Sequence, residues 1–258
     1  IIHHPMNLRL LFLPAFLLLV CATGNSRTFD NETLRYKVLY RWGLINKTAG
    51  YATIRMLPGG AEECRAQLTA ASEPWADRFF RVRDTLNSTM RRADFSPVFY
   101  EKLAHEGNER KHDIVRFSRS GATYTGDCVR KVWKKGKIFR DETRTLTAVG
   151  TTVDMMTSFY HMRNLPFEDW KPGHTLTINI FSGKQKEKLT FKYCGITDVE
   201  IKGKKRPCYH ITFIFTGDNQ KKTSDNMDAW ITADEARIPL RLEGKLPVGK
   251  VQCELVEN

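Results

Sequence analysis

Leu34-Arg35-Tyr36-Lys37-Val38-Leu39-Tyr40-Arg41-Trp42 decides how this chain is read. Leu34, Tyr36, Val38, Tyr40 and Trp42 fall on one side of a period of two, and Arg35, Lys37, Leu39 and Arg41 on the other. Successive side chains of an extended chain point to opposite faces. The stretch is therefore a strand with an apolar face toward a core and a largely basic face toward water. The same period recurs outward from it. Ala52, Ile54 and Met56 alternate with Thr53 and Arg55 until Pro58-Gly59-Gly60 ends the run. In the second half, Leu176, Ile178 and Ile180 begin the series, followed by Leu189, Phe191 and Tyr193. Tyr209, Ile211, Phe213 and Phe215 continue it, and Ile238, Leu240 and Leu242 close it. Stretches 65–73, 81–91, 98–106, 113–119, 122–126 and 129–134 are β-compatible with less regular patterns. Strands joined by short polar turns imply antiparallel neighbours. The expected fold is mainly β: antiparallel curled sheets, a half-barrel or a two-lobed barrel-like form, with one central helix near 152–163.

That helix is read from a change of period. Thr152 is a suitable N-cap and Asp154 falls in the first turn, where the helix dipole favours an acid. Met155, Phe159 and Met162 form an apolar i, i+4, i+7 set expected to face the core, at roughly 1.5–3 kcal/mol for each buried side chain. Asn164-Leu165-Pro166 ends the helix, because a residue before proline avoids the αR region.

The N-terminus reads as an address. Met6 is the expected start, with residues 1–5 upstream of it. Met6-Asn7-Leu8-Arg9 is a short basic segment, and residues 10–20 are apolar apart from Pro14. Such a run is too short for an ordinary spanning helix and suits a signal peptide over residues 1–22, cleaved after Ala22. A second reading takes Leu18-Leu19-Val20-Cys21 as a lipidation signal with Cys21 as the anchor, although Val20 departs from the small residue usual there. Both readings place the protein outside the inner membrane. Residues 23–258 then form one β-rich domain, and 142–152 is the expected seam if it has two lobes.

The chain has 258 residues, 41% of them hydrophobic, and a formal net charge of +12. That content excludes bulk disorder, and no later apolar run is long enough to cross a bilayer as a helix. The basic residues gather at Lys134-Lys135-Gly136-Lys137, 184–188 and 202–206, expected as turns and strand edges where lysine discourages unwanted pairing. Export argues against nucleic acid. An anionic lipid or glycan surface is the partner that such a field suits. Cys64, Cys128, Cys194, Cys208 and Cys253 are odd in number and widely spaced, without a CxxC or CxxH pair, so no metal site is expected. A hairpin turning near Gly203-Lys204-Lys205 would set Cys208 opposite Glu200 and Cys194 opposite Ile214, so a 194–208 disulfide would need a shifted register.

Val153-Asp154-Met155-Met156-Thr157-Ser158-Phe159-Tyr160-His161-Met162-Arg163-Asn164-Leu165-Pro166-Phe167 resembles a known helix-and-turn pattern. So does Met227-Asp228-Ala229-Trp230-Ile231-Thr232-Ala233-Asp234, followed by Arg237-Ile238-Pro239-Leu240 and Pro247-Val248-Gly249-Lys250-Val251. Together with Tyr36–Trp42 and Ala49-Gly50-Tyr51-Ala52 these resemble the exported bacterial family catalogued as domain of unknown function 3108, over roughly residues 33–256. The resemblance implies a Gram-negative envelope location and a curled antiparallel sheet comparable to the half-barrels of periplasmic lipoprotein carriers. It brings no reaction with it.

Catalytic signatures are absent from the sequence: there is no GxSxG, P-loop or HExxH, and no dinucleotide fingerprint. No cofactor is expected. Asp228, Asp234 and Glu235 near Trp230 are the acids that a sugar hydrolase would need as a pair, and the turn-forming context of Asp234 and Glu235 is the plainer account. Asp228 and Trp230 should share a face. Tyr160, His161, Arg163 and Trp230 are the candidate ligand contacts. His105 and His112 read as surface histidines in a polar loop. The expected function is an exported envelope protein that binds an apolar or lipid-like ligand, or a partner protein, on a curved sheet. The alternatives are a carbohydrate-active hydrolase and a structural factor that binds anionic envelope polymers.

Overall fold

The computed structural model describes residues 27–217, 224, 226–246 and 248–257. The expected export segment, with Ala22 and Cys21, lies outside the described residues.

The first half is an unbroken meander: β1 (Thr33–Trp42), β2 (Ile45–Leu57), β3 (Glu63–Ser72), a helical turn α1 (Pro74–Asp77), β4 (Val82–Arg91), β5 (Pro97–Glu106), β6 (Glu109–Ser120), β7 (Thr123–Lys134) and β8 (Lys137–Val149). After β9 (Thr152–Val153) and helix α2 (Met155–Arg163), a second meander follows. It contains β10 (Thr175–Phe181), β11 (Lys186–Ile201), β12 (Lys204–Gly217), β13 (Met227–Thr232), β14 (Pro239–Lys245) and β15 (Lys250–Glu257). All belong to one 15-stranded sheet in the order β8-β7-β6-β5-β4-β3-β2-β1-β15-β14-β13-β12-β11-β10-β9. Pairing is antiparallel except between β9 and β10, and β1 against β15 joins the two meanders. The mainly β, curled antiparallel architecture with a central helix is as the alternation implied.

Residues 142–152 run from within β8 into β9, the two outer edges of this single sheet, which the chain connects directly. Side chains draw these edges together. Asn179 Nδ2 donates to the carbonyls of Val149 (3.0 Å) and Thr151 (3.2 Å), and an Arg144 guanidinium nitrogen donates to the Lys184 carbonyl (2.8 Å). Phe117 stacks on Phe181 across the same junction, with centroids 5.7 Å apart. Gly126 allows this approach: a Cβ there would lie 2.6 Å from the Phe181 ring. The sheet thus curls into a nearly closed barrel whose two edges meet around residues 144–151, while the start of β8 stays exposed.

Helix α2 fills one end of the interior. Its N-cap is Asp154, two residues beyond the expected Thr152, which belongs to β9. Asp154 Oδ1 accepts from Met156 N (2.7 Å) and Thr157 N (2.8 Å), and Thr157 Oγ1 accepts from Asp154 N (2.7 Å), a reciprocal capping box. The buried stripe also differs from expectation. Met156, Tyr160 and Arg163 turn inward together with Met162, while Met155 is exposed. An arginine at the end of a stripe marks it as polar in the sequence. Here that arginine is fully paired inside, so the stripe can be buried.

The β11–β12 register corrects the hairpin expectation. The turn is Lys202-Gly203, both at positive φ (51° and 74°), which is what a two-residue primed turn requires. Glu200 therefore faces Lys205, and Cys208 faces Thr197. An extra residue at Cys194 shifts the ladder beyond it, and the five cysteines among the described residues are free thiols. His105 and His112 lie on β5 and β6 rather than in a loop. On β1, Leu34 and Tyr36 are buried as the alternation predicts, but Val38 and Tyr40 are half-buried and Trp42 is exposed. Leu39, assigned to the basic face, is buried.

Candidate functional site

The half-buried end of β1 is explained by what it faces. Val38, Tyr40 and Trp42 line a cavity of about 650 Å³ at the open end of the barrel, away from α2. Its walls are apolar: Tyr51 and Ala70 from β2 and β3, Trp75 and Phe79 from the α1 region, and Val251 from β15. Ser72 is the main polar interruption. The size falls within the range of small-molecule sites.

Local sequence builds this wall. β2 carries an extra residue where Val38 pairs with Gly50 and Leu39 with Thr48. Gly50 is needed at the close approach to β3, because a Cβ there would lie 2.3 Å from the Ala71 carbonyl oxygen. The bulge leaves main-chain acceptors free for the next segment. Trp75 Nε1 donates to Thr48 O (2.7 Å) and Glu73 N donates to Ala49 O (2.7 Å). On the other side, an Arg83 guanidinium nitrogen pairs with Asp77 at 2.8 Å, and Ser72 Oγ bonds the same carboxylate. The hydrogen bonds from Arg83 and Ser72 hold the Asp77 carboxyl below the usual range. The turn α1 is thus clamped across the open end between β2 and β4.

The inner face changes character beyond β4. Across the ladder, Leu86, Lys102, Asp113 and Arg130 form one row; Val82, Glu106, Glu109 and Lys134 form another nearer the open end. These charges neutralise one another. Arg130 contacts both Asp113 oxygens (2.8 and 2.9 Å), Lys111 and Lys102 reach Glu106 (2.6 and 3.1 Å), and Lys134 reaches Glu109 (2.8 Å). Burial pushes the Asp113 carboxyl up against the pull of Arg130. At Glu106 burial also acts upward, but the hydrogen bonds and charges of Lys111 and Lys102 prevail and bring it down to about 2. The interior is therefore greasy along β1–β3 and β15, and ionic but internally paired along β5–β7.

The residues singled out from sequence lie elsewhere. Tyr160 is buried among Phe29, Phe95 and Phe159, with ring centroids 5.3–6.0 Å away. Arg163 is buried against Glu32. His161 borders a smaller depression of about 370 Å³ with Asp94, Ser96 and Arg119, its Nε2 has no hydrogen-bond partner, and burial lowers its pKa. Trp230 stacks on His210 (4.7 Å, 2° between planes), and His210 Nε2 lies 2.8 Å from Asp228 Oδ1. Asp228 and Trp230 do share a face, opposite buried Ala229 and Ile231. Asp234 belongs to the β13–β14 turn, where it accepts from Thr232 Oγ1 (2.6 Å) and Arg237 N (3.2 Å). Glu235 is exposed in that turn. The acids thus form two groups, one on a strand with a histidine and one serving a turn.

The cavity escaped sequence reading because its lining comes from both ends of the chain. One signal was available: Trp75 and Phe79-Phe80 are large apolar residues between two strands, where a polar connection is the norm.

One solved structure agrees with the fold. A crystal structure of a beta-barrel-like protein of domain of unknown function DUF1849 from Brucella abortus superposes with a TM-score of 0.56 at 12% identity, covering 87% of this chain and 95% of its own. A candidate exported protein with a YmcC-like fold from Bacteroides fragilis aligns at 7% identity and a TM-score of 0.38, over 89% of this chain and 97% of its own. The hypothetical lipoprotein YmcC from Escherichia coli aligns at 10% identity and 0.32, over 92% of each. No curated protein matches the sequence. Nearly the whole double meander, residues 35–256, fits the family model described as Protein of unknown function (DUF3108), and the chain belongs to that family.

Proposed function

We propose that this is an exported envelope protein that holds an apolar, lipid-like ligand in the cavity at the open end of its barrel. The observation that carries the reading is the cavity itself: about 650 Å³ walled by aromatic and aliphatic side chains. Apolar surface left unfilled in water is costly at roughly 25 cal/mol per Å², and a greasy ligand would recover that cost. The ionic rows of β5–β7 are already paired, so they neither demand a ligand charge nor supply a free base or nucleophile.

A fluorescent apolar probe, N-phenyl-1-naphthylamine, tests it. Its emission should rise on binding and fall when fatty acid or lysophospholipid competes. Ala70→Trp fills the cavity from β3 and should weaken probe binding by roughly tenfold or more, with the urea midpoint little changed. Native mass spectrometry of protein purified from the envelope should show added mass that organic solvent removes. A probe that does not bind, or binds Ala70→Trp equally well, would sink the proposal.

A further inference from the structure

We propose that the rim of this cavity is a docking face for an anionic lipid bilayer. Three connections meet there: the β1–β2 turn, the segment between α1 and β4, and the β14–β15 turn. Their proximity is direct. Lys47 Nζ lies 4.3 Å over the Trp75 ring, Trp75 packs edge-on to Phe79 at 6.3 Å, and the Tyr40 hydroxyl donates to Val248 O at 3.2 Å. The large apolar side chains that water sees on this face are unusual in number. Leu44 is fully exposed, Phe79 is 83% exposed, and Trp42, Phe80 and Val248 are each more than half exposed. Apolar side chains gathered at one opening mark an interaction surface, whereas scattered ones do not.

Charge selects the occupant. Residues 41–48, 78–81 and 245–250 contain Arg41, Lys47, Arg78, Arg81, Lys245 and Lys250, and no Asp or Glu. Of the nearby acids, Asp77 is held by Arg83, Glu243 by Lys250, Glu106 by Lys102 and Lys111, and Glu109 by Lys134, while Glu73 opens the turn α1. Cationic heads set among aromatic and aliphatic tips match an anionic headgroup layer above acyl chains. Aromatic rings favour that boundary, and each basic residue near such a surface adds attraction. No helix among the described residues is long and apolar enough to cross a membrane. The inference deepens the ligand reading by placing the cavity mouth on the lipid. It stands on the rim, so the two can fail separately.

Vesicle flotation of the purified full chain decides it, comparing phosphatidylcholine mixed with phosphatidylglycerol against phosphatidylcholine alone. The protein should float with the anionic vesicles and lose most of that binding in high salt. Leu44→Glu and Arg78→Gln/Arg81→Gln alter the rim without touching residues that line the cavity. The double variant should weaken vesicle binding by about twenty-fivefold, at roughly fivefold per charge, and Leu44→Glu by about tenfold. Both should keep probe binding. All variants share one N-terminus, so that segment's own affinity cancels. Equal flotation with neutral vesicles, or no difference between the variants and the parent, overturns the proposal. So does a concentration-dependent dimer abolished by Leu44→Glu without vesicle binding, or retention on acidic polysaccharide alone. Lost probe binding with intact vesicle binding would instead sink only the ligand reading.

Discussion

Arg163→Met is expected to lower the free energy of unfolding by about 3–5 kcal/mol, the usual cost of removing one member of a buried ion pair. The side chain is 0% exposed. Two of its nitrogens donate to the two Glu32 oxygens at 2.5 and 2.7 Å, and it also donates to the carbonyls of Arg237 (2.7 Å) and Ala236 (2.9 Å). Its guanidinium lies 3.9 Å above the Phe29 ring. One planar cation therefore ties the N-terminal segment and the β13–β14 turn to helix α2. Methionine fills the volume but leaves a largely buried carboxylate and two carbonyls without donors. Lysine keeps the charge but cannot serve four acceptors from one nitrogen, so Arg163→Lys should fall between methionine and the parent. Urea unfolding should show a lower midpoint with an unchanged slope. Adding Glu32→Gln to Arg163→Met should recover part of the loss. A change under about 1 kcal/mol would mean that the pair behaves like a surface salt bridge and that this account of the interior is wrong.

The second large effect is at Asp154. Burial raises its carboxyl to about 6, against the opposing hydrogen bonds from Thr157 N, Ser88 Oγ and Met156 N. The folded state thus holds this proton more tightly than the unfolded chain, whose value is near 3.8. Its contribution to stability is complete below the unfolded value and is lost as pH rises through about 6. The decrease should amount to up to about 3 kcal/mol for this group alone. Asp154→Asn keeps an acceptor for the helix N-terminus and carries no charge. It should cost under about 1 kcal/mol at low pH and flatten the dependence between pH 4 and 6. Asp154→Ala strands two helix N–H groups and Ser88, and should cost about 3 kcal/mol. Urea midpoints across that pH range would check both. A parent whose stability rises from pH 4 to 6 as steeply as that of Asp154→Asn would refute the assignment.

These two positions also show where sequence reading stops. Strands were legible because alternation is local: Leu34 and Tyr36 point inward in the structure as they do on paper. Helix α2 was legible as a helix, but its buried stripe was not. A sequence pattern counts Arg163 as a surface residue, and only a partner 131 positions away at Glu32 makes it a core residue. The β11–β12 hairpin was legible as a hairpin, while its register depended on a single extra residue at Cys194. A bulge of that kind is set by sheet coiling, which leaves no mark on hydrophobic alternation.

The acids and histidine chosen for their chemistry illustrate the same limit. Residue type and parity placed Asp228 beside Trp230 on one face, and that held. Whether Asp234 shares a cleft with Asp228 depends on the turn between β13 and β14. There Thr232 and the Arg237 backbone take up the Asp234 carboxylate.

By itself the sequence determined the mainly β character, the antiparallel order of neighbours, the presence of one central helix and the family. Each follows from interactions among residues close in the chain or from motifs read as strings. The cavity was decided by tertiary structure alone. Its walls come from β1–β3, the turn α1 and β14–β15, which meet only because β1 pairs with β15 and the sheet curls on itself. Concavity is a property of that closure, and a one-dimensional pattern of apolar residues is the same whether the space they enclose is filled or empty.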